Sequence, residues 1–361
     1  MRDPLDPYLG CLLGGAVGDA LGAPVEFLTL AQIQRQFGDA GVRDFAPAYG
    51  RTGAITDDTQ MSLFTAEGLL RAQMRLLDRG FCALPAVVSG AYLRWLLTQG
   101  QFERAAETTR DGWLIELPGL HHRRAPGTTC LSALIETPWG EPARNDSKGC
   151  GGVMRVAPVG LFLASLRAGD SGLEEAFDMA CELAALTHGH SSGQLSAGVL
   201  AATVLRLLRG DELTSAVAKA IEVLKQRPAH SETLAAVEAA LGLAASEPEA
   251  EISRLGEGWV AEEALAMGLF AALTAADFEH GVLRAVNHGG DSDSTGSIAG
   301  NLLGARWGAS AIPTRWRERV ELAEAITGMA QDLHECGRWQ LRAGGDESPL
   351  SARAFDRYPP N

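Results

Sequence analysis

The chain has 361 residues, 46% hydrophobic and 21% charged, with a formal net charge of −14. That length buries a substantial core, and the acidic balance excludes general nucleic-acid affinity, because a phosphate backbone needs basic surface. No stretch approaches the roughly 18 uncharged apolar residues of a membrane span, and the opening MRDPLDPYLG lacks the basic-then-apolar layout of a signal peptide; a cytoplasmic monomer with no membrane partner is the expectation.

Alanine and leucine dominate, and apolar residues recur at three- and four-residue steps. Period-two runs of β-branched residues are almost absent. This predicts an all-α fold, a compact multi-helix bundle. Residues 1–340 read as one domain, and 341–361, which lack periodicity, as a loose C-terminal tail.

Early in the chain, GGAVGDALG (14–22) places Gly14, Gly18 and Gly22 four apart. Each glycine inside a helix costs about 0.5–1 kcal/mol relative to alanine. Three on one face imply a compensating close approach of another backbone. Next, AITDDTQMSLF (54–64) sets Asp57 beside Asp58, between threonines, where an apolar helical pattern begins. The 110–150 region is rich in Pro, Gly and Arg and reads as long loops. Within it His121, His122, Arg123 and Arg124 read as a surface rim, a solvated loop sooner than a substrate contact. NDSKGCGGVMRVAPVGLF (145–162) is a glycine-rich loop entering a helix near Val153 or Met154, a layout that presents free amides to an anion. It has neither Walker spacing nor a preceding strand.

In THGHSSG (187–193), His188 and His190 precede a helix that Ser191 or Ser192 would cap; a third zinc ligand is not evident. Helices are expected over 195–210, stopping at Gly210, and over 233–245. NHGGDSDSTGSIAG (287–300) repeats the acidic theme: Asp291 and Asp293 alternate with Ser292 and Ser294 at a helix start, and Gly296, Gly300 and Gly304 again fall four apart. The six cysteines have neither zinc-finger nor disulfide-scaffold spacing and read as reduced.

Each acidic pair alone is explained by helix capping. A helix dipole offsets only about 0.3–1 kcal/mol, too little to hold four acids together. Were the two clusters to meet, hard oxygen donors would suit Mg²⁺ or Mn²⁺, and four carboxylates would suffice for two ions.

Five segments in order, GCLLGGAVGDALGAPVEF (10–27), TDDTQMSL (56–63), SKGCGGVMRVAPVGL (147–161), THGHSSG (187–193) and HGGDSDSTGSIAGNLLGA (288–305), resemble the signature segments of the ADP-ribosylglycohydrolase family. The resemblance implies an all-helical, orthogonal bundle holding two Mg²⁺ ions, with Mn²⁺ as a substitute. It implies removal of ADP-ribose from a modified protein or a small ADP-ribosyl compound, with ADP-ribose as product. Thr56, Asp57, Asp58, Asp291, Asp293 and Ser294 would ligate metal, with Thr295 as the alternative hydroxyl. Glu26 would lie near the scissile ribose, and Glu26, Asp57, Asp58 and Asp293 would carry catalysis. Ser147, Lys148, Gly149, Cys150, Gly151, Gly152, Met154 and Arg155, with His188, would contact substrate. The serine-containing GGDSDSTG version resembles the arginine-linkage branch. Two other classes stay open: a metal-dependent hydrolase of another nucleotide or phosphorylated substrate, and a catalytically silent ADP-ribose binder.

Overall fold

The structure, a computed structural model, describes residues 3–105, 108–169, 171–340 and 349–360. Among them the chain forms seventeen α-helices: α1 Asp6–Gly22, α2 Leu30–Phe37, α3 Asp57–Arg79, α4 Leu84–Thr98, α5 Phe102–Ala105, α6 Thr128–Glu136, α7 Ala157–Leu166, α8 Leu173–Ala185, α9 Ser191–Leu208, α10 Leu213–Leu224, α11 Ser231–Ser246, α12 Ala261–Leu273, α13 Phe278–Val286, α14 Ser292–Trp307, α15 Thr314–Arg317, α16 Ala323–Glu335 and α17 Pro349–Arg357. The described strands are β1 Pro47–Ala48 and β2 Arg51–Thr52, an antiparallel pair. Its two turn residues, Tyr49 and Gly50, both have positive φ (50° and 81°), as a two-residue hairpin turn of this hand requires.

The expected helices at 195–210 and 233–245 are α9 and α11, and Gly210 follows α9 with φ 87°. The helix expected near Val153 starts later, at Ala157. Pro158 explains this: lacking an N–H, it belongs in the first turn of a helix. A short 3₁₀ turn, Cys150–Gly152, occupies the preceding loop. The cap of α9 falls on His190, whose Nδ1 accepts the Ser192 amide at 3.1 Å, rather than on a serine. Ser192 Oγ instead donates to Glu232.

The two glycine helices pack against each other, antiparallel, through the middle of the core. Gly10, Gly14 and Gly18 of α1 face Gly304, Gly300 and Gly296 of α14, and Gly22 faces the Ser292–Asp293 peptide. A Cβ on Gly18 would lie 1.9 Å from the Gly296 carbonyl oxygen, and one on Gly300 2.0 Å from that of Gly14. Backbone-on-backbone packing of this kind excludes every side chain. It offsets the helix propensity lost at each glycine, and it sets the end of α1 beside the start of α14.

The C-terminal residues are not loose where they are described. Tyr358 is buried, donates to Asp332 Oδ2 at 2.6 Å and stacks on Trp339 at 5.8 Å. Arg71 and Arg75 of α3 donate to the Pro359 and Pro360 carbonyls. Apolar burial and the ion pair of Arg357 with Asp332 at 3.1 Å keep α17 docked although its sequence lacks a long period. Residues 341–348 of the expected tail lie outside the described residues. All six cysteines are free.

Candidate active site

Asp57 and Asp58 open α3, and Asp291 and Asp293 open α14; two distant parts of the chain meet through α1. At its C-terminal end α1 touches the first turn of α14, and its Asp19 holds the loop before α3. Both Asp19 oxygens lie 3.0 Å from the Thr56 amide, and Oδ2 also accepts the Thr59 amide at 3.1 Å and its hydroxyl at 2.5 Å. Beyond α1 the chain turns and presents Glu26. Six carboxyl groups, Asp19, Glu26, Asp57, Asp58, Asp291 and Asp293, are thus buried around one place, none more than 7% exposed.

The same loop is held from behind. Arg124 and Glu321, both buried, pair with each other. Arg124 also donates to the Ile55 carbonyl at 2.9 Å, and Glu321 accepts the Ile55 amide at 3.2 Å. Arg124 therefore departs from the expected solvated rim, although His121, His122 and Arg123 are exposed. Its carbonyl accepts the Asp57 amide at 3.3 Å, so the 110–150 region fixes the acid pair rather than fringing it.

Capping and clustering coexist. Thr56 Oγ1 accepts the Asp58 amide, and Asp291 Oδ1 accepts the Ser294 amide, each at 3.3 Å. Asp57 Oδ2 also accepts the Gly127 amide at 3.3 Å and Asp293 Oδ1 the Ser294 amide at 3.0 Å, yet none of these bonds brings a positive charge to the acids. Burial is the largest cause raising the affinity of Asp19, Glu26, Asp57, Asp58 and Asp291 for protons, and the charge of Asp293 is second for all five. Glu26 is pushed up to about 11 and Asp19 to about 7. Glu26 Oε2 and Asp58 Oδ1 are buried with no hydrogen-bond partner.

The nearby cations do not answer this charge. Arg155 is fully buried over the Tyr92 ring and donates to Thr187 Oγ1 and the Leu183 carbonyl. Lys148 is paired with Glu232 and Glu262. The partners of both side chains lie outside the group of six acids. A hard cation fits the chemistry of the donor set: buried carboxylates and hydroxyls, two of the oxygens without partners. In their present poses, no three His, Cys, Asp or Glu side chains among the described residues are arranged to hold a metal ion. The fit is one of donor type and charge.

The glycine loop does reach the cluster. Cys150 Sγ donates to Asp291 Oδ2 at 2.7 Å, and Ser294 Oγ lies 3.9 Å from Met154 Sδ. His188 is buried against it: a Cβ on Gly151 would fall 3.1 Å from His188 Cε1. Ser147 Oγ meets Thr129 Oγ1 at 3.0 Å. Thr295 is engaged elsewhere, donating to the Ala285 carbonyl and meeting His288 Nε2, both at 2.8 Å. Ser294 is thus the freer hydroxyl of the two.

Two parts of the site escaped sequence reading. Asp19 is one; an acid inside a glycine-spaced apolar helix was its signal. The other is the loop LGEGWV (255–260), in which Gly256 and Gly258 flank Glu257 and Trp259 follows. The Glu257 carbonyl accepts the Asp291 amide at 2.8 Å, and the Trp259 carbonyl accepts the Cys150 amide at 3.2 Å. Gly290, with φ 144°, permits this approach, since a Cβ there would lie 2.1 Å from the Glu257 oxygen. A separate cleft of about 570 Å³ near Arg43 and Arg284 is also lined by acids, Glu249, Glu251, Asp277 and Glu279, but none of them is buried, and Arg284 there is bonded to Thr274 and Ala250.

Comparison with known proteins identifies the family. The profile of the ADP-ribosylglycohydrolase family matches residues 1–342. The ADP-ribosyl-[dinitrogen reductase] glycohydrolase of Rhodospirillum rubrum is 28% identical over 88% of this chain and 91% of its own length. The ADP-ribosylarginine hydrolase Tri1 of Pseudomonas putida is 26% identical over 92% of this chain and 78% of its own. A solved structure described as an ADP-ribosylglycohydrolase-related protein complex superposes with a TM-score of 0.68 at 28% identity, covering 93% of this chain and all of that one. The all-helical fold, the buried acids at two helix starts and a family match over nearly the whole length lead to one conclusion: this chain is an enzyme of the ADP-ribosylglycohydrolase family.

Proposed function

We propose that the enzyme is a metal-dependent hydrolase that releases ADP-ribose from arginine-linked ADP-ribosyl proteins or small compounds, cleaving at C1 of the distal ribose. The observation that carries this reading is the burial, around one place, of Asp57 and Asp58 with Asp291 and Asp293, beside a Glu26 oxygen that has no partner. The names of the R. rubrum and P. putida relatives support the substrate class, and the second supports the linkage.

Thr56, Asp57, Asp58, Asp291, Asp293 and Ser294 would hold two Mg²⁺ or Mn²⁺ ions. Bound there, such ions supply Lewis acidity at ribose hydroxyls and at water. The protein's own part is to position and to move protons. Glycosidic cleavage passes through an oxocarbenium-like state. Water adds hydroxyl to C1, and its proton ends on the departing guanidine. Glu26 Oε2 is the free carboxyl oxygen for that exchange. The Ser147–Gly152 loop and His188 wall the site beside Asp291, where they would meet the ribose and diphosphate.

The deciding experiment offers arginine-, serine- and O-acetyl-linked ADP-ribose, follows released ADP-ribose, and repeats the assay after EDTA and after Mg²⁺ or Mn²⁺ add-back. Release from the arginine linkage that EDTA abolishes and metal restores is expected. Release of inorganic phosphate instead, or turnover indifferent to EDTA, would overturn the reading.

A further inference from the structure

Beside Glu26, residues 26–29, 257–259 and 289–290 meet around a cleft of about 360 Å³. Two large aromatic side chains stand in it with little cover: Phe27 is 68% exposed and Trp259 39%. Their rings stack, centroids 5.9 Å apart and planes 19° from parallel. Keeping that much apolar surface in water forgoes about 25 cal/mol for each Å² left unburied. The pair is nonetheless held in place. The Trp259 carbonyl is bonded to Cys150, and the neighbouring Glu257 carbonyl to Asp291. The ionisable groups among the described residues lining the cleft are both acids, Glu26 and Glu257; no lysine or arginine lines it. Glu26 is 7% exposed and its Oε2 lacks a partner.

Stacked aromatic faces inside a negative field suit a flat, delocalised cation. A guanidinium is such a group: weakly hydrated, planar, and able to lie on a ring while donating to carboxylates. An adenylate offers a ring as well, but its phosphates would meet Glu26 and Glu257, and no lysine or arginine lines the cleft to answer them. A serine side chain offers neither a plane nor a charge.

We propose that Phe27 and Trp259 form the platform on which the guanidinium of the departing arginine lies, flanked by Glu26 and Glu257, and that this platform sets linkage selectivity. The proposal deepens the ADP-ribosyl hydrolase reading and rests on it for the kinetic arm of its test.

That arm compares kcat/KM for arginine-linked and serine-linked ADP-ribosyl peptides in wild type, Phe27→Ala, Trp259→Ala and Trp259→Phe. The ratio of the two is expected to fall about tenfold in each alanine variant, mostly through KM, within the range of a desolvated cation–π contact. Trp259→Phe should restore most of it. The second arm needs no turnover. The full chain is titrated with Nα-acetyl-arginine methylamide, and in parallel with AMP, while the indole N–H resonances are followed; Trp259 is assigned from Trp259→Phe. The arginine compound should shift the Trp259 resonance, and Phe27→Ala should weaken that binding. Equal loss on both linkages, a Trp259 response to AMP but not to the arginine compound, or no response to either overturns the platform. If wild type hydrolyses no linkage yet the arginine compound shifts Trp259, the hydrolase reading falls and the guanidinium site stands.

Discussion

Asp19 and Thr56 lie on different elements, yet both oxygens of the Asp19 carboxylate stand 3.0 Å from the Thr56 amide. A residue with no expected role in the site is therefore what fixes the start of α3. Asp19→Asn exchanges one acceptor for a donor, against donors at Thr56 and Thr59. Activity and Mg²⁺ affinity should fall about 10–100-fold, the usual effect of removing a group that orients ligands. Calorimetric titration with Mg²⁺ and an initial-rate assay would check this. Wild-type values for both would show that the contact does not matter.

The glycine contact between α1 and α14 should tolerate no methyl. Gly18→Ala places a carbon within 1.9 Å of the Gly296 oxygen, so one helix must shift. Overpacking of this kind costs about 1–3 kcal/mol. Gly242→Ala, on the exposed face of α11 with nothing within 4 Å of the new carbon, should instead stabilise by about 0.5–1 kcal/mol. Thermal melts of the two variants are expected to move in opposite directions.

The acids should show an inverse relation between activity and metal-free stability. Asp58→Asn with Asp291→Asn removes two charges that Asp293 and burial both disfavour. Turnover should drop by at least about 10²-fold, equivalent to roughly 3 kcal/mol of transition-state stabilisation. In EDTA the same variant should melt higher than wild type. A lower melting point with activity retained would mean that the acids serve structure alone.

Two buried histidines give a pH dependence with a definite sign. Burial lowers His188 to about 3 and His288 to about 4, from an ordinary value of 6.5. Between those values and 6.5 the unfolded chain binds more protons than the folded one. Stability from these residues is therefore complete above about pH 6.5 and is lost as pH falls toward 4. His288→Asn should flatten the stability–pH curve over that window, measured by urea unfolding at fixed Mg²⁺. An unchanged slope would locate the acid sensitivity elsewhere.

Local patterns carried much of this protein. Thr56–Asp58 and Asp291–Ser294 are legible because caps, acids and hydroxyls at a helix start are short-range signals. The four-residue glycine spacing told that backbones would approach closely, although nothing in either segment named its partner. Arg155 and Lys148 illustrate the reverse case. The resemblance implied that both contact substrate, but Tyr92, Thr187, Glu232 and Glu262, which engage them, are distant in sequence. Asp19 was hidden for the same reason, since its donors lie on α3.

The sequence by itself determined an all-helical chain, the starts of α3 and α14 with their acids, and the glycine faces, because each follows from interactions within a few residues. Tertiary structure alone decided that Asp57 and Asp58 share a buried place with Asp291 and Asp293, that Asp19 and the Arg124–Glu321 pair hold the loop before them, and that Phe27 stacks on Trp259. Those relations come from packing between elements far apart in the chain, where contact depends on which faces exclude water together rather than on any local preference.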